Sequence, residues 1–481
     1  MKTVAQLDSF VHDLLKRARC RPALGSVVRT LLGGITAAGS VVLSEVLRPQ
    51  VQKEGLHAAE QRVSQALKND TALDALPDAY LDMVAEAARP LRFRTVDGSD
   101  LTKPAGRAFE YLDVVRDGSC KPRDRVVVGP NGVQPSTPPN PAASPQARYE
   151  HKRARRSKGT SKAAPLAPDA KRPRTVARAE ARKDSKAERL KFPSPPAIKK
   201  LGYWTVQIEA GNGTGDHLPL LQELFSTQDP AYQALGEDAW TTTYQFAIER
   251  VLAHLGPEGI WLMDRGFDDV FWLRWMHANV EQSVIRLKSN RNVHPGTSQE
   301  KAVNIGQLAE SLAARHTTQI RYVDKSSHKE KFRSIPFTWV PIWVNGVDHA
   351  LYLIVAHTGR KRPLLLVTDC RPANTKEAGD LIQAYLERWG SEEVTRACKQ
   401  LTGLERIRVR SFHAMRRLLW LAMIAVGIQS LMILTRPRLR RAILDRAKEF
   451  IPNVRFVVYR IWRVVQADLH RALEVRPHLV T

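Results

Sequence analysis

The chain predicts a mixed α/β protein, and three observations say so. Short apolar runs that end in an acid alternate with segments of helical periodicity between residues 91 and 290. Several β-like runs then follow one another across 291–370. Finally, Leu418–Leu434 is a continuous apolar window suited to lie against a sheet. A length of 481 residues buries a large core and suggests two to four domains.

Residues 1–90 read as helices. Leu7, Phe10, Val11, Leu14 and Leu15 repeat at helical spacing, and Pro22 is expected to close that element. The stretch Leu31-Leu-Gly-Gly-Ile-Thr-Ala-Ala-Gly-Ser40-Val-Val-Leu-Ser-Glu-Val-Leu predicts a short turn followed by a helix that Ser40 could cap. A helix-turn-helix for DNA ends and a plain helical bundle both fit this composition. At Leu91-Arg-Phe-Arg-Thr-Val-Asp97 the period shifts to strand alternation ending in a carboxylate, with Gly98 and Ser99 after it. Tyr203–Ile208 is the next strand, Asp238–Leu255 a helix, and Gly259–Met263 an apolar strand that runs into Asp264. Asp268-Asp269 caps a helix over Phe271–Ala278, and Ser283–Leu287 returns to strand. Gln319–Val323, Phe337–Val344, Leu351–Ala356 and Leu364–Val367 supply the β-rich interval. Trp339 and Trp343 in it face one side, for core packing or, less simply, for stacking an extruded base. Residues 436–481 read as a basic helical tail.

A formal charge of +25 points to a polyanionic partner, nucleic acid before membrane. Residues 121–200 hold 21 Lys and Arg against 6 Asp and Glu, so +15 of that charge is concentrated there. The same stretch carries 13 of the 29 prolines, and it predicts a disordered basic insertion. Such a segment adds sequence-independent phosphate attraction or serves as a passive linker. The four cysteines are scattered and form no CxxC pair, which disfavours a zinc ribbon or disulfide framework and fits a reducing compartment. The N-terminus lacks the apolar run of a secretory signal. Leu418–Leu434 is marginal for a bilayer span and reads as a buried helix, so no membrane is expected.

One stretch concentrates chemistry: Tyr385, Arg388, Glu392 and Lys399. On a continuous helix of about 100° per residue they fall within a stripe of roughly 60°. A carboxylate among cations there can hold a divalent metal while its neighbours hold phosphates. The plain alternative is a solvated amphipathic helix, and Gly390 could break it.

The spacing Y-x2-R-x3-E-x6-K of those four residues resembles the signature of a large group of bacterial insertion-sequence transposases, which are DDE enzymes. The similarity extends, in order, through Val96-Asp97-Gly-Ser-Asp100-Leu-Thr-Lys103-Pro, Val115-Arg-Asp117-Gly-Ser119, Gly202-Tyr-Trp204, Asp264-Arg-Gly-Phe267-Asp and Leu404-Glu405-Arg-Ile-Arg-Val-Arg410-Ser-Phe-His. It implies an RNase H-like (retroviral-integrase-like) catalytic core with a β-strand insertion, a helical N-terminal domain and a helical C-terminal tail. The expected layout is a helical domain over 1–90 and core segments at 91–120 and 201–290. The basic insertion follows at 121–200, the β-rich insertion at 291–370, the signature helix with the end of the core at 371–435, and the tail at 436–481. In the family pattern the flanks of 121–200 are joined by a short connection, so its length here is a departure.

By resemblance, Asp97, Asp264 and Glu392 are the catalytic and metal-binding acids, with Asp100 the rival to Asp97. They would hold two Mg2+ or Mn2+ ions for phosphoryl transfer. Tyr385, Arg388 and Lys399 would position the DNA end, and Trp389 would fill the gap left by a displaced base. The resemblance further implies double-stranded DNA partners (the element's terminal repeats and target DNA), a homodimer in a synaptic complex, and a cytoplasmic, nucleoid-associated location in a bacterium. An inactive or domesticated DNA-binding relative, an RNase H-like nuclease without strand transfer, and a basic packaging protein are the alternatives.

Overall fold

A computed structural model describes residues 2–50, 55–103, 108–116, 126–129, 132–135, 199–212, 216–323, 330–360, 362–450 and 457–475. Residues Met1–Asp113 and Gly202–Thr481 form one unit, and Val114–Leu201 a second.

Five helices open the first unit: α1 (Lys2–Arg17), α2 (Pro22–Ala38), α3 (Leu43–Leu47), α4 (Leu56–Asn69) and α5 (Leu76–Ala88). Pro22 does not merely end the first helix. It starts the second, at a position where its missing N–H has no intrahelical partner to lose. No turn falls at Gly33-Gly34, because α2 runs through them to Ala38. A Cβ on Gly34 would lie 2.5 Å from both Val46 and Gln50, so this glycine lets α3 pack directly onto α2. Ser40 accepts from the Val42 amide at 3.1 Å in the connecting turn, and Val42 takes the cap position of α3.

The strands are β1 (Phe93–Thr102), β2 (Asp113–Arg116), β3 (Val126–Gly129), β4 (Gly132–Pro135), β5 (Lys199–Gly211), β6 (His217–Phe225), β7 (Ile260–Met263), β8 (Gln282–Arg286), β9 (Asn292–Pro295), β10 (Val303–Asn304), β11 (His316–Val323), β12 (Glu330–Trp343), β13 (Leu351–Ala356) and β14 (Leu364–Thr368). In the second unit, β3 and β4 form an antiparallel hairpin. The remainder of the expected disordered stretch from 121 to 198 lies outside the described residues.

The main sheet runs β10-β9-β12-β13-β14-β8-β7-β1-β5, with β6 on β5 and β11 on β12. It is mixed. β1 is antiparallel to β5 but parallel to β7, and β7 is parallel to β8. The β-rich interval thus extends the same sheet past β8. Its edge strand β11 satisfies its outer backbone through Gln383, which accepts from the Arg321 amide at 2.9 Å and donates to its carbonyl at 3.2 Å. Trp339 stacks on His316 at 4.4 Å, and the Trp343 indole donates to the Gly296 carbonyl at 3.2 Å, so both tryptophans have structural partners.

The later helices are α6 (Pro230–Gln233), α7 (Ala239–Leu255), α8 (Val270–Asn279), α9 (Ile305–Ser311), α10 (Thr375–Glu387), α11 (Trp389–Thr402), α12 (Phe412–Thr435), α13 (Pro437–Phe450) and α14 (Val457–Val475). By length and composition α12 could cross a membrane, but 89% of its apolar window is buried within the protein. Its whole circumference is apolar because it has partners all round: α2, α4 and α5 from the N-terminal helices, α14, and β6 from the sheet. Arg417, almost fully buried on α12, donates to both carboxylate oxygens of Asp74 and to the Leu67 and Lys68 carbonyls, which ties the end of α4 to this helix. A central helix of this kind supports the sheet that carries Asp97 and Asp264.

Candidate active site

The acids are brought together by register. The parallel ladder of β1 and β7 ends with Val96 opposite Met263, and the next residues are Asp97 and Asp264. Neighbouring strands are about 4.8 Å apart, so the two carboxylates leave adjacent strands side by side. β1 itself continues to Thr102, so Asp97 lies inside the strand and not at its end, as the alternation alone suggested. Strand residues three apart point to opposite faces, which separates Asp100 from Asp97.

The signature stretch is two helices. α10 ends at Glu387, α11 begins at Trp389, and Arg388 is the junction. The break therefore falls two residues before Gly390. Arg388 Nη1 donates to Asp97 Oδ2 at 3.0 Å across 291 sequence positions, and Nη2 lies 3.9 Å from Glu392 Oε1. Burial alone would weaken the charge on the guanidinium, but Asp97, Tyr385, Asp264 and Glu392 together hold it more firmly protonated than usual. Asp97 is pushed up to about 6, first by burial and then by Asp264 and Glu392, with Arg388 and the Gly98 amide opposing. Asp264 also caps its own turn, accepting from the Gly266 amide at 2.7 Å.

Tyr385 is buried beside Arg388, whose guanidinium carbon is 5.6 Å from its ring centroid. Burial raises its hydroxyl pKa, with Arg388 and Arg286 opposing. Lys399 is placed differently from the single-stripe expectation. Its ammonium reaches the Asp100 carbonyl and lies 4.0 Å from Glu405. The side chain of Trp389 lies outside the described residues.

Two contributors were not singled out as site residues from the sequence. Tyr244, on α7, sits with its hydroxyl against Gly98, where a Cβ would come within 2.2 Å of it. Burial and the charges of Asp97 and Asp264 raise its pKa, which places it electrostatically beside both aspartates. Lys103 was visible only as part of a motif. Buried, it donates to the Glu405 carbonyl at 2.7 Å, to Ile407 at 3.2 Å and to Leu404 at 3.4 Å, stitching the end of β1 to the turn after α11. That desolvation lowers its pKa to about 8, against the pull of Glu405.

Asp97 and Glu392 thus both face the Arg388 guanidinium, and Asp264 contributes to its electrostatic field. Residues 237–428 match the family model of a transposase DDE domain, and the match supports a DDE transposase. Such a domain implies an RNase H-like fold, which the mixed sheet and its flanking helices fit. No curated protein matches the chain.

DDE transposases use divalent metals, and an all-oxygen donor set suits Mg2+ or Mn2+. Burial, and after it the charges of Asp264 and Glu392, disfavours the ionised form of Asp97, and a cation offsets both effects. The spacing as it stands is a different matter. Among the described residues, no three His, Cys, Asp or Glu side chains gather closely enough to hold an ion. The positive charge between the acids is Arg388.

Proposed function

We propose that this chain is the transposase of a bacterial insertion sequence, cutting DNA at the element's ends and joining the freed strand to target DNA. Asp97, Asp264 and Glu392 are its metal-binding acids. What supports this is their convergence on Arg388 from a strand pair and a helix far apart in sequence. A bound divalent cation would supply Lewis acidity, activating the attacking oxygen and stabilising the leaving one. The protein's own groups do the rest. Arg388 offers a planar fork that matches a phosphate. Arg286, which influences Tyr385, adds positive charge on the β8 side. Tyr385 walls the site from α10, and Lys399 on α11 approaches the backbone of β1. Lys103 ties the end of β1 to the turn after α11, and Tyr244 packs against Gly98 beside Asp97.

Two such chains acting as a synaptic dimer, each on one element end, complete the proposal. The test is cleavage of a duplex bearing the DNA that borders the gene. Asp97→Asn, Asp264→Asn and Glu392→Gln should each abolish cutting while binding is retained, and Asp100→Asn should still cut. Full activity in Asp97→Asn would refute the assignment. Cutting without any joined product would point to a nuclease that does not transfer strands. Binding without cutting in the unaltered protein would leave an inactive relative.

A further inference from the structure

The positive charge set between Asp97 and Glu392 is a side chain. Arg388 is only 11% exposed, sits 3.0 Å from Asp97 and 3.9 Å from Glu392, and shares the field of Asp264. It therefore stands where an ion shared by the acids would stand. We propose that in the DNA-free protein Arg388 substitutes for the divalent cation, and that a DNA phosphate must draw the guanidinium away before the acids can close on a metal ion. DNA and metal then load cooperatively.

This rests on the reading of Asp97, Asp264 and Glu392 as ligands, and it follows from charge and geometry. The Asp97 oxygen engaged by Arg388 cannot serve an ion well while a guanidinium remains 3.0 Å away, because two like charges at such separation exclude one another. Conversely, removing Arg388 without replacing it would leave three acids repelling in a partly buried site. A phosphate resolves both problems at once. It matches the guanidinium bidentately, while the cation takes over the acids. The position of Arg388 at the α10–α11 junction adds a mechanical link, since Glu392 is carried by the helix that begins at the next residue. The same arrangement keeps a cleavage site unarmed away from DNA.

The experiment is calorimetric titration of Mn2+ into the full-length protein, with and without a duplex carrying the DNA that borders the gene. The variants are Arg388→Met, Arg388→Gln and Arg388→Met combined with Asp97→Asn. Without DNA, the unaltered protein should bind Mn2+ about tenfold more weakly than Arg388→Met, and the duplex should remove most of that difference. By reciprocity, Mn2+ should tighten duplex binding to the unaltered protein by the same factor. Equal Mn2+ affinity with and without the duplex in the unaltered protein overturns the proposal. That comparison still decides the matter if the methionine variant unfolds, and Arg388→Gln provides a milder neutral replacement. If Mn2+ binding is tight but unaffected by Asp97→Asn in the Arg388→Met background, or absent throughout, the metal-ligand reading itself fails.

Discussion

At the scale of single residues, Gly98 shows how closely the site is fitted. Its conformation does not demand glycine, since its φ is not among the positive ones. The space does, because the Tyr244 hydroxyl occupies the place of a Cβ. Gly98→Ala should therefore destabilise the fold by about 1–3 kcal/mol, as overpacking does, and should lower DNA cleavage by shifting the backbone next to Asp97. Tyr244→Phe removes the clashing oxygen and leaves the ring carbon 3.4 Å away. The double variant should recover much of the lost stability in a denaturant titration, and strictly additive losses would show that the two residues do not compete for that space. Contacts of this kind are invisible in sequence. The strand that runs into Asp264 was legible from its short apolar run, whereas β1 continues past Asp97 to Thr102 and its alternation placed that end too early. That Tyr244 lies under Gly98, or that Arg388 reaches Asp97, depends on tertiary closure and leaves no local trace.

At the scale of elements, α12 was readable from its uniform apolarity, and its burial among helices on all sides and a strand explains why no polar stripe was needed. A break near Gly390 was readable, but its position at Arg388 was not, because the junction residue itself keeps a helical backbone. The tight crossing of α12 over α5 was also hidden. A Cβ on Gly427 would lie 1.8 Å from the Tyr80 hydroxyl, which donates to the Pro219 carbonyl at 2.6 Å. Gly427→Ala should lower stability more than the small helix-propensity gain of alanine can offset, and a thermal melt would reveal it. Leu421→Ala in the same helix should cost about 2–5 kcal/mol. The end of α10 carries a titration signature. Burial raises Glu387 to about 7, against Gln383, Arg321 and His217. In the unfolded chain the group ionises near 4.5, so between 4.5 and about 7 the folded state binds a proton that the unfolded state has released. That group's contribution to stability therefore falls as pH rises through this window. Glu387→Gln should be relatively more stable at pH 8 than at pH 5 when compared with the unaltered protein, and an unchanged difference would contradict the burial argument.

At the scale of the whole molecule, the proposed division between gripping DNA and working on it is a matter of charge distribution. The acids and Arg388 belong to the unit containing the main sheet, whereas +15 of the +25 net charge lies in residues 121–200. The concentration of charge is plain in the composition, although the form of most of that segment lies outside the described residues. Phosphate neutralisation contributes a salt slope of about 0.9 per contact on duplex DNA. A variant with residues 136–198 replaced by a short Gly-Ser linker should therefore bind a random duplex with a visibly shallower log–log salt dependence. Its loss of affinity should be greatest at low salt, where screening is weakest. Because the acids and their supporting contacts lie in other segments, cleavage of saturating duplex should persist in that variant. An unchanged salt slope would assign the segment to a connecting role and shift the electrostatic grip to the basic helices α13 and α14 and the cationic groups around Arg388 and Arg286.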